Sequence, residues 1–354
     1  MLIADALAMP SHWVYNIRLM PRLFPPKGEI TGFVDPPKHL PNSILNLSNT
    51  GGGGRGSDRG NLVGDVILHG KRKYWKRGKD YHYHTTLVAG EPTLEAQLML
   101  LLMRTWSGTE EDAGSGAGSA PLDAFRDAYV EFMTTPGSHN DTYAATAHRM
   151  FFKNVMAGKD PVDAPDDDRH NVAAIDALTL VTPVLLDGIS RGMDAESSVA
   201  AGMDMLAVTR NVPYIEPYVA AYEDLLRMCM DGTKPSVAAE TVAARKLFRD
   251  TVNLSAMAAS HGPGNEPMAA CYLDSAFKVL LYLLYQYGDD PDPSLALLRN
   301  ANAGGENVAR GACLGACLGA YHGFPAWPDS LVSGLVLPSG TDATLQSWAL
   351  PRDL

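Results

Sequence analysis

The 354-residue chain has few cysteines, no excess of positive charge and no long apolar run, and each shortage closes off a class of function. Its four cysteines, Cys229, Cys271, Cys313 and Cys317, all fall in segments that read as apolar helix. Buried thiols in a reducing compartment are expected, not a disulfide framework. Cys313 and Cys317 share a helical face, but they sit among Ala and Leu with no Cys-x-x-Cys or His partner nearby in sequence. Packing explains them better than metal binding. Lys and Arg number 29 against 40 Asp and Glu, a formal charge of −11. Phosphate backbones are bound by clustered cations, so nucleic acid is not an expected partner. No window approaches the ~18 to 20 uninterrupted apolar residues of a membrane span. Met1-Leu2-Ile3-Ala4-Asp5 lacks the basic leader and apolar stretch of a signal peptide. A cytoplasmic protein without a membrane partner is the expectation. Strand-like alternation is scarce too, residues 62–68 being the best candidate, and no internal repeat is visible.

What is present is helical pattern. Residues 1–80 read as irregular, because Pro21, Pro25, Pro26, Pro36, Pro37 and Pro41, then Gly51 to Gly54, exclude long helices between about residues 21 and 70. This 21–80 segment is expected to wrap the body as ordered loops. From Thr93 the pattern changes: Leu94-Glu95-Ala96-Gln97-Leu98-Met99-Leu100 is rich in strong helix formers. Residues 108–121 read as a flexible polar linker between helices. Further helices are expected near 122–133, 141–157, 171–190, 195–208, 213–230, 235–257, 268–287, 293–300 and 307–322. The expected architecture is all-α, a compact many-helix orthogonal bundle in one domain spanning 1–354.

The densest signal lies near the C-terminal end. Asn300-Ala301-Asn302-Ala303-Gly304-Gly305-Glu306-Asn307 is a polar turn that opens a helix with Gly311, Gly315, Gly319 and Gly323 four residues apart. Glycine costs about 1 kcal/mol in a helix interior, so this bare stripe implies that another backbone approaches it. Asn302, Glu306, Asn307 and Arg310 then stand at the helix start, either as caps or as pocket groups. His82-Tyr83-His84 is a second candidate: on extended backbone the two histidines project to one face, suited to acid–base work or to one divalent metal. The run ending in Gly53, Gly54 and Arg55 is either a backbone cradle for an anion or a surface loop. Asn140 and Asp141, and His170 after three aspartates, lie before helices, with Asp141 and Asn171 suited to capping. His148, near carboxylates, is a lesser candidate. In the basic stretch Lys71-Arg72-Lys73, Tyr74, Trp75 and Tyr81 offer a stacking platform, but a solvated loop is the simpler reading.

Two of these segments resemble the ADP-ribosylglycohydrolase family. Ala4-Asp5-Ala6-Leu7-Ala8-Met9-Pro10 is similar to its Gly-Asp-Ala-Leu-Gly-x-Pro start, and residues 302–308 are similar to its Asn-x-Gly-Gly-Asp-x-Asp segment. His82-Tyr83-His84, Ala89-Gly90-Glu91-Pro92-Thr93-Leu94 and Gly304-Gly305-Glu306-Asn307 with Arg310-Gly311 resemble the branch containing the J-type lens crystallins. The resemblance implies an all-α fold and hydrolysis of a nucleotide-like substrate at two magnesium ions held by aspartates. This chain departs from that ligand set: His82, Tyr83 and His84 stand for Thr, Asp and Asp, and Glu306 and Val308 stand for two aspartates. Hard dications need such oxygens, so no magnesium pair is expected; any metal would be a single divalent ion on His82 or His84. The implied activity is that of a hydrolase or related lyase, using His84, His82, Glu306 and Asp5 on a small polar or nucleotide-like ligand. The rival is a non-catalytic, crystallin-like or ligand-binding member of the same fold. No pattern in the sequence addresses oligomeric state.

Overall fold

The computed structural model describes residues 1–43, 45, 62–76, 78–108, 120–249 and 251–348. Apolar periodicity builds Leu2–Ala8 (α1), and Met20–Leu23 (α2) is a single turn. The main body comprises Leu94–Gly108 (α3), Ala120–Thr134 (α4), Thr146–Met156 (α5), Asp176–Ser190 (α6), Ala195–Ala207 (α7) and Glu216–Met230 (α8). It continues with Pro235–Ala243 (α9), Leu254–Ser260 (α10), Leu273–Tyr287 (α11), Ser294–Ala303 (α12), Val308–His322 (α13), Asp329–Ser333 (α14) and Thr341–Ser347 (α15). Among the described residues there is no β-strand, only isolated bridges such as Ala174 with Tyr272. The expected all-α class is therefore the observed one.

Several local expectations need correction. Residues 1–80 are not uniformly irregular: α1 forms before the first proline cluster, with Ala4, Ala6, Leu7 and Ala8 buried between neighbouring helices. The expected helix 235–257 is broken after Ala243, where successive turns bury Phe248 and the Asn253 side chain accepts from the Ala256 N–H to start α10. The strand candidate 62–68 is a wide helical turn interrupted at Val63 and Gly64, and Arg72 pairs there with Asp65 at 2.6 Å. Of the expected 108–121 linker, residues 109–119 lie outside the described residues, and Ala120 already belongs to α4.

The core forms because two helices are apolar on opposite faces. In α6, Leu178, Val181 and Leu185 enter one cluster with α8, α9, α11 and α13, while Leu180 and Val184 enter a second with α3, α4 and the N-terminal loops. α1 is shared likewise, Ala4 and Leu7 facing the first and Leu2 and Ala8 the second. Burial of this kind stabilises by roughly 25 cal/mol per Å² of apolar surface.

The glycine stripe of α13 explains how α1 comes so close. A Cβ on Gly311 would meet Asn300 Nδ2 at 2.6 Å and the Ala4 carbonyl at 3.4 Å, and one on Gly315 would meet Ala4 Cβ at 2.9 Å. Gly319 has nothing within 4 Å, and Gly323 ends the helix at φ 72°. Only half of the stripe is thus a packing requirement. Gly311→Val should destabilise the protein by about 1–3 kcal/mol through overpacking, whereas Gly319→Ala should stabilise it by up to about 1 kcal/mol through helix propensity. Denaturant midpoints of the two variants check this, and equal shifts would remove the close-packing role.

Candidate active site

Four ionisable side chains from four distant segments form one hydrogen-bonded chain. Asp141 Oδ1 lies 2.8 Å from His84 Nδ1, His84 Nε2 lies 2.6 Å from His12 Nδ1, and His12 Nε2 lies 3.1 Å from both Glu306 oxygens. The two imidazoles stack with centroids 4.9 Å apart, 8° from parallel. All four residues are buried, Glu306 being 4% exposed.

Backbone geometry delivers the groups. The short turn Met9–Ser11 that follows α1 leads into His12, and Trp13 adopts φ 58°. Gly304 and Gly305 both have φ 64°, and a Cβ on either would lie 2.3 Å from the Val14 or Ala269 carbonyl. Free of side chains, the turn lets Trp13 N–H donate to the Gly305 carbonyl (2.8 Å), Gly305 N–H to Val14 (3.1 Å) and Glu306 N–H to Ala269 (2.8 Å). Glu306 is thereby locked against the His12 loop, and its Oε1 also accepts from the Ala309 N–H in the first turn of α13. Asp141 fixes the other end: its Oδ2 accepts from the Leu94 N–H, capping α3, and its Oδ1 from the Tyr143 N–H.

Proton counting sets the charge of the chain. Burial alone would raise the Asp141 carboxyl, but the His84 ring and the Leu94 and Tyr143 N–H groups outweigh it and hold the group below its ordinary value. Glu306 behaves alike: burial is opposed and exceeded by His12, the Ala309 N–H and Arg310. Both carboxylates are then acceptors only. Three hydrogen bonds must be filled from four ring nitrogens, so the two rings hold three protons, one imidazole and one imidazolium. The positive charge lies on either ring according to the position of a single proton between them.

The surroundings are aromatic and acidic. Trp13 stacks on His12 at 4.2 Å and meets Tyr83 and Tyr143 edge-on. Tyr15, which partial burial and then the Glu306 charge push upward, is 44% exposed. Glu95 and Asp176 also feel the Glu306 charge, so three carboxylates share one polar interior. Glu95 binds His148 Nε2 at 3.0 Å while Tyr129 lies 2.7 Å from His148 Nδ1, and Asp176 binds buried Arg210 at 2.9 Å. The carboxylate beside His148 is Glu95, 53 positions away in the sequence.

The residues expected at the site have varied positions. His84 and Glu306 are brought together, but His12 stands between them. His82 supplies Nδ1 to the His84 N–H at 3.1 Å and shapes the loop; burial and the two neighbouring rings push it well below 6.5, so it stays neutral. Asp5 is occupied by Thr93, accepting from its N–H at 2.6 Å and its hydroxyl at 2.8 Å. Asn302 bonds both backbone groups of Ile30, Asn307 donates to Ser11 Oγ and the Ala301 carbonyl, and Arg310 bonds Asn300 and the Gly304 carbonyl. His170 lies 3.1 Å from the Tyr272 hydroxyl, and Asn140 donates to the Thr86 carbonyl. Asp141 caps α3, not a helix following it, and Asn171 donates to Asp168 outside any helix. Gly53, Gly54 and Arg55 lie outside the described residues. In the basic stretch, Trp75 is a core residue whose Nε1 donates to the Thr142 carbonyl. His12 and Glu95 were not singled out in the sequence, although His12 stands two residues past the matched N-terminal motif.

The donor set does not suit the family's two magnesium ions. Among the described residues, no group of three or more His, Cys, Asp or Glu side chains gathers with metal-ligand geometry. Both nitrogens of His84 are engaged by Asp141 and His12, so a metal on His84 would have to displace one of them.

Burial raises the Asp5 carboxyl from 3.8 to about 7, against the opposing Thr93 hydrogen bonds. The proton retained in the folded state stabilises it fully below about pH 4, and this contribution disappears as the pH rises toward 7. Asp5→Asn should therefore gain stability relative to the parent by an increasing amount over that range, on the order of a few kcal/mol at its upper end. Urea unfolding at pH 4.5, 5.5 and 6.5 measures it; parallel curves would mean that Asp5 ionises normally.

A family model described as ADP-ribosylglycohydrolase matches residues 1–352. No curated protein matches the sequence. A solved structure described as "ADP-ribosylglycohydrolase-related protein complex" is similar with a TM-score of 0.54 and 15% identity, over 98% of this chain and 94% of that one, a likeness of fold. With the family model spanning nearly every residue and the helical fold in agreement, this chain belongs to the ADP-ribosylglycohydrolase family.

Proposed function

We propose that the protein hydrolyses a glycosidic or related bond of a nucleotide-like or other small polar substrate, using His12, His84, Asp141 and Glu306 in place of a magnesium pair. The observation that carries this reading is the continuous hydrogen-bond chain from Asp141 to Glu306. Glu306 acts as general base: it takes a proton from water as the water oxygen bonds the sugar carbon and the glycosidic bond breaks, and it returns that proton to the leaving group. When Glu306 becomes neutral, a positive charge on His12 loses its partner. Movement of the shared proton within the 2.6 Å contact between the rings places that charge on His84, beside Asp141. His12 thus orients Glu306 and adjusts its charge, and Asp141 fixes the ring of His84. The aromatic and hydrogen-bonding groups at Tyr15, Tyr272 and His170 supply surfaces on which a nucleotide base can stack.

A second reading has its own support. Every ring nitrogen in the relay already has a partner, which suits a ligand-binding or crystallin-like protein that does not turn over. The two readings separate in one assay of ADP-ribosyl conjugates and simple nucleosides. Hydrolysis should be detectable, should persist in EDTA, and should fall by about 10² to 10⁴-fold in Glu306→Gln with an unchanged helical spectrum. ADP-ribose bound without hydrolysis of any conjugate supports the binding protein; strict dependence on millimolar magnesium restores the metal mechanism.

A further inference from the structure

Away from the relay, the described residues line a half-open cavity of about 400 Å³, walled in part by Lys71, Glu91, Gln97, Ser138, His139 and Asn140. Its size falls in the range of small-molecule sites. None of its walls is a relay residue, yet it adjoins the Asp141 end: His139 and Asn140 directly precede Asp141, and Lys71, Glu91 and His139 all feel the Asp141 charge. It opens from the loops between α4 and α5 and from residues 336–338, on segments that do not carry His12 or Glu306.

The polar groups of this wall are incompletely used. The His139 ring stacks on Phe132 at 5.8 Å, and its buried Nδ1 has no hydrogen-bond partner. Burial keeps that ring neutral, with its proton lost near pH 4, so it serves as a hydrogen-bonding group and not as a charge. Among the described residues the Lys71 ammonium makes no hydrogen bond or ion pair; partial burial disfavours its charge more than the nearby Asp141 and Glu91 carboxylates favour it. Glu91 accepts from the Val88 N–H at 3.0 Å and interacts with the Asn140 side chain, which leaves acceptor capacity on its carboxyl.

We propose that this cavity is a separate binding site for a small hydroxylated oxyanion, such as a sugar phosphate, with Lys71 and His139 taking the oxyanion and Glu91 with Asn140 taking hydroxyl groups. A partly desolvated ammonium gains from pairing with an anion. A wall with one carboxylate and several uncharged donors and acceptors suits hydroxyls around that anion.

Calorimetric titration of the full chain with ribose 5-phosphate, inorganic phosphate and ribose tests the site. Ribose 5-phosphate should bind with a sub-millimolar Kd, more tightly than either phosphate or ribose. Lys71→Ala and His139→Phe should each weaken it by roughly tenfold or more, with Lys71→Gln as a milder check on folding, and Glu306→Gln should leave it unchanged. Absence of binding up to about 10 mM, ribose binding as tightly as its phosphate, or full affinity in the Lys71 variants would overturn the proposal. Loss of binding in Glu306→Gln would also overturn it, by moving the ligand to the relay.

Discussion

Between Asp141 and Glu306, two parallel imidazoles share one proton across 2.6 Å, and all four groups are withdrawn from water. Ionised groups at such depth are tolerated only when each has a partner, since removing one member of a buried pair costs about 3–5 kcal/mol. The two carboxylates therefore require the imidazolium, and its position requires both rings in register. That requirement reaches four parts of the chain: the turn after α1, the loop at residues 82–84, the approach to α5 and the start of α13.

The close approach of backbones makes this register possible. Gly304 and Gly305 admit the Val14 and Ala269 carbonyls at distances that any side chain would forbid, and Gly311 and Gly315 admit α1. Small residues thus serve both tasks, Gly311 and Gly315 the helix packing and Gly304 and Gly305 the placement of His12 opposite Glu306. Asn300, Asn307 and Arg310 complete the arrangement by bonding carbonyls and side chains of the turn, and Asn302 ties it to the backbone of Ile30. Buried polar groups of this kind hold a shape because leaving one unpaired costs about 1–3 kcal/mol.

Several carboxylates in one interior need positive charge nearby. Where hard dications supply it, the ligands are carboxylates; here His12, His84 and Arg210 face Glu306, Asp141 and Asp176.

The helical class, most helix positions and the importance of the segment from Asn300 to Gly323 were legible in the sequence, because helix propensity, glycine spacing and turn chemistry are local. Local too was the absence of a membrane-length apolar run. Helix boundaries failed where burial overrode pattern, as at Phe248, which breaks the stretch after α9, and in α1, a helix too short to announce itself. His84, Glu306 and Asp141 could be named as polar residues in special places, yet their order in a chain could not, since a hydrogen bond spanning 294 positions leaves no periodic trace. His12 carried no local signal of its own, and Asp5 and Asn302 looked like site residues because a polar group in a motif reads the same whether it meets a ligand or a buried backbone. Local chemistry determined which residues were available; the packing of α1 on α13 decided which of them share a proton, because only tertiary contact brings their dielectric surroundings and their partners together.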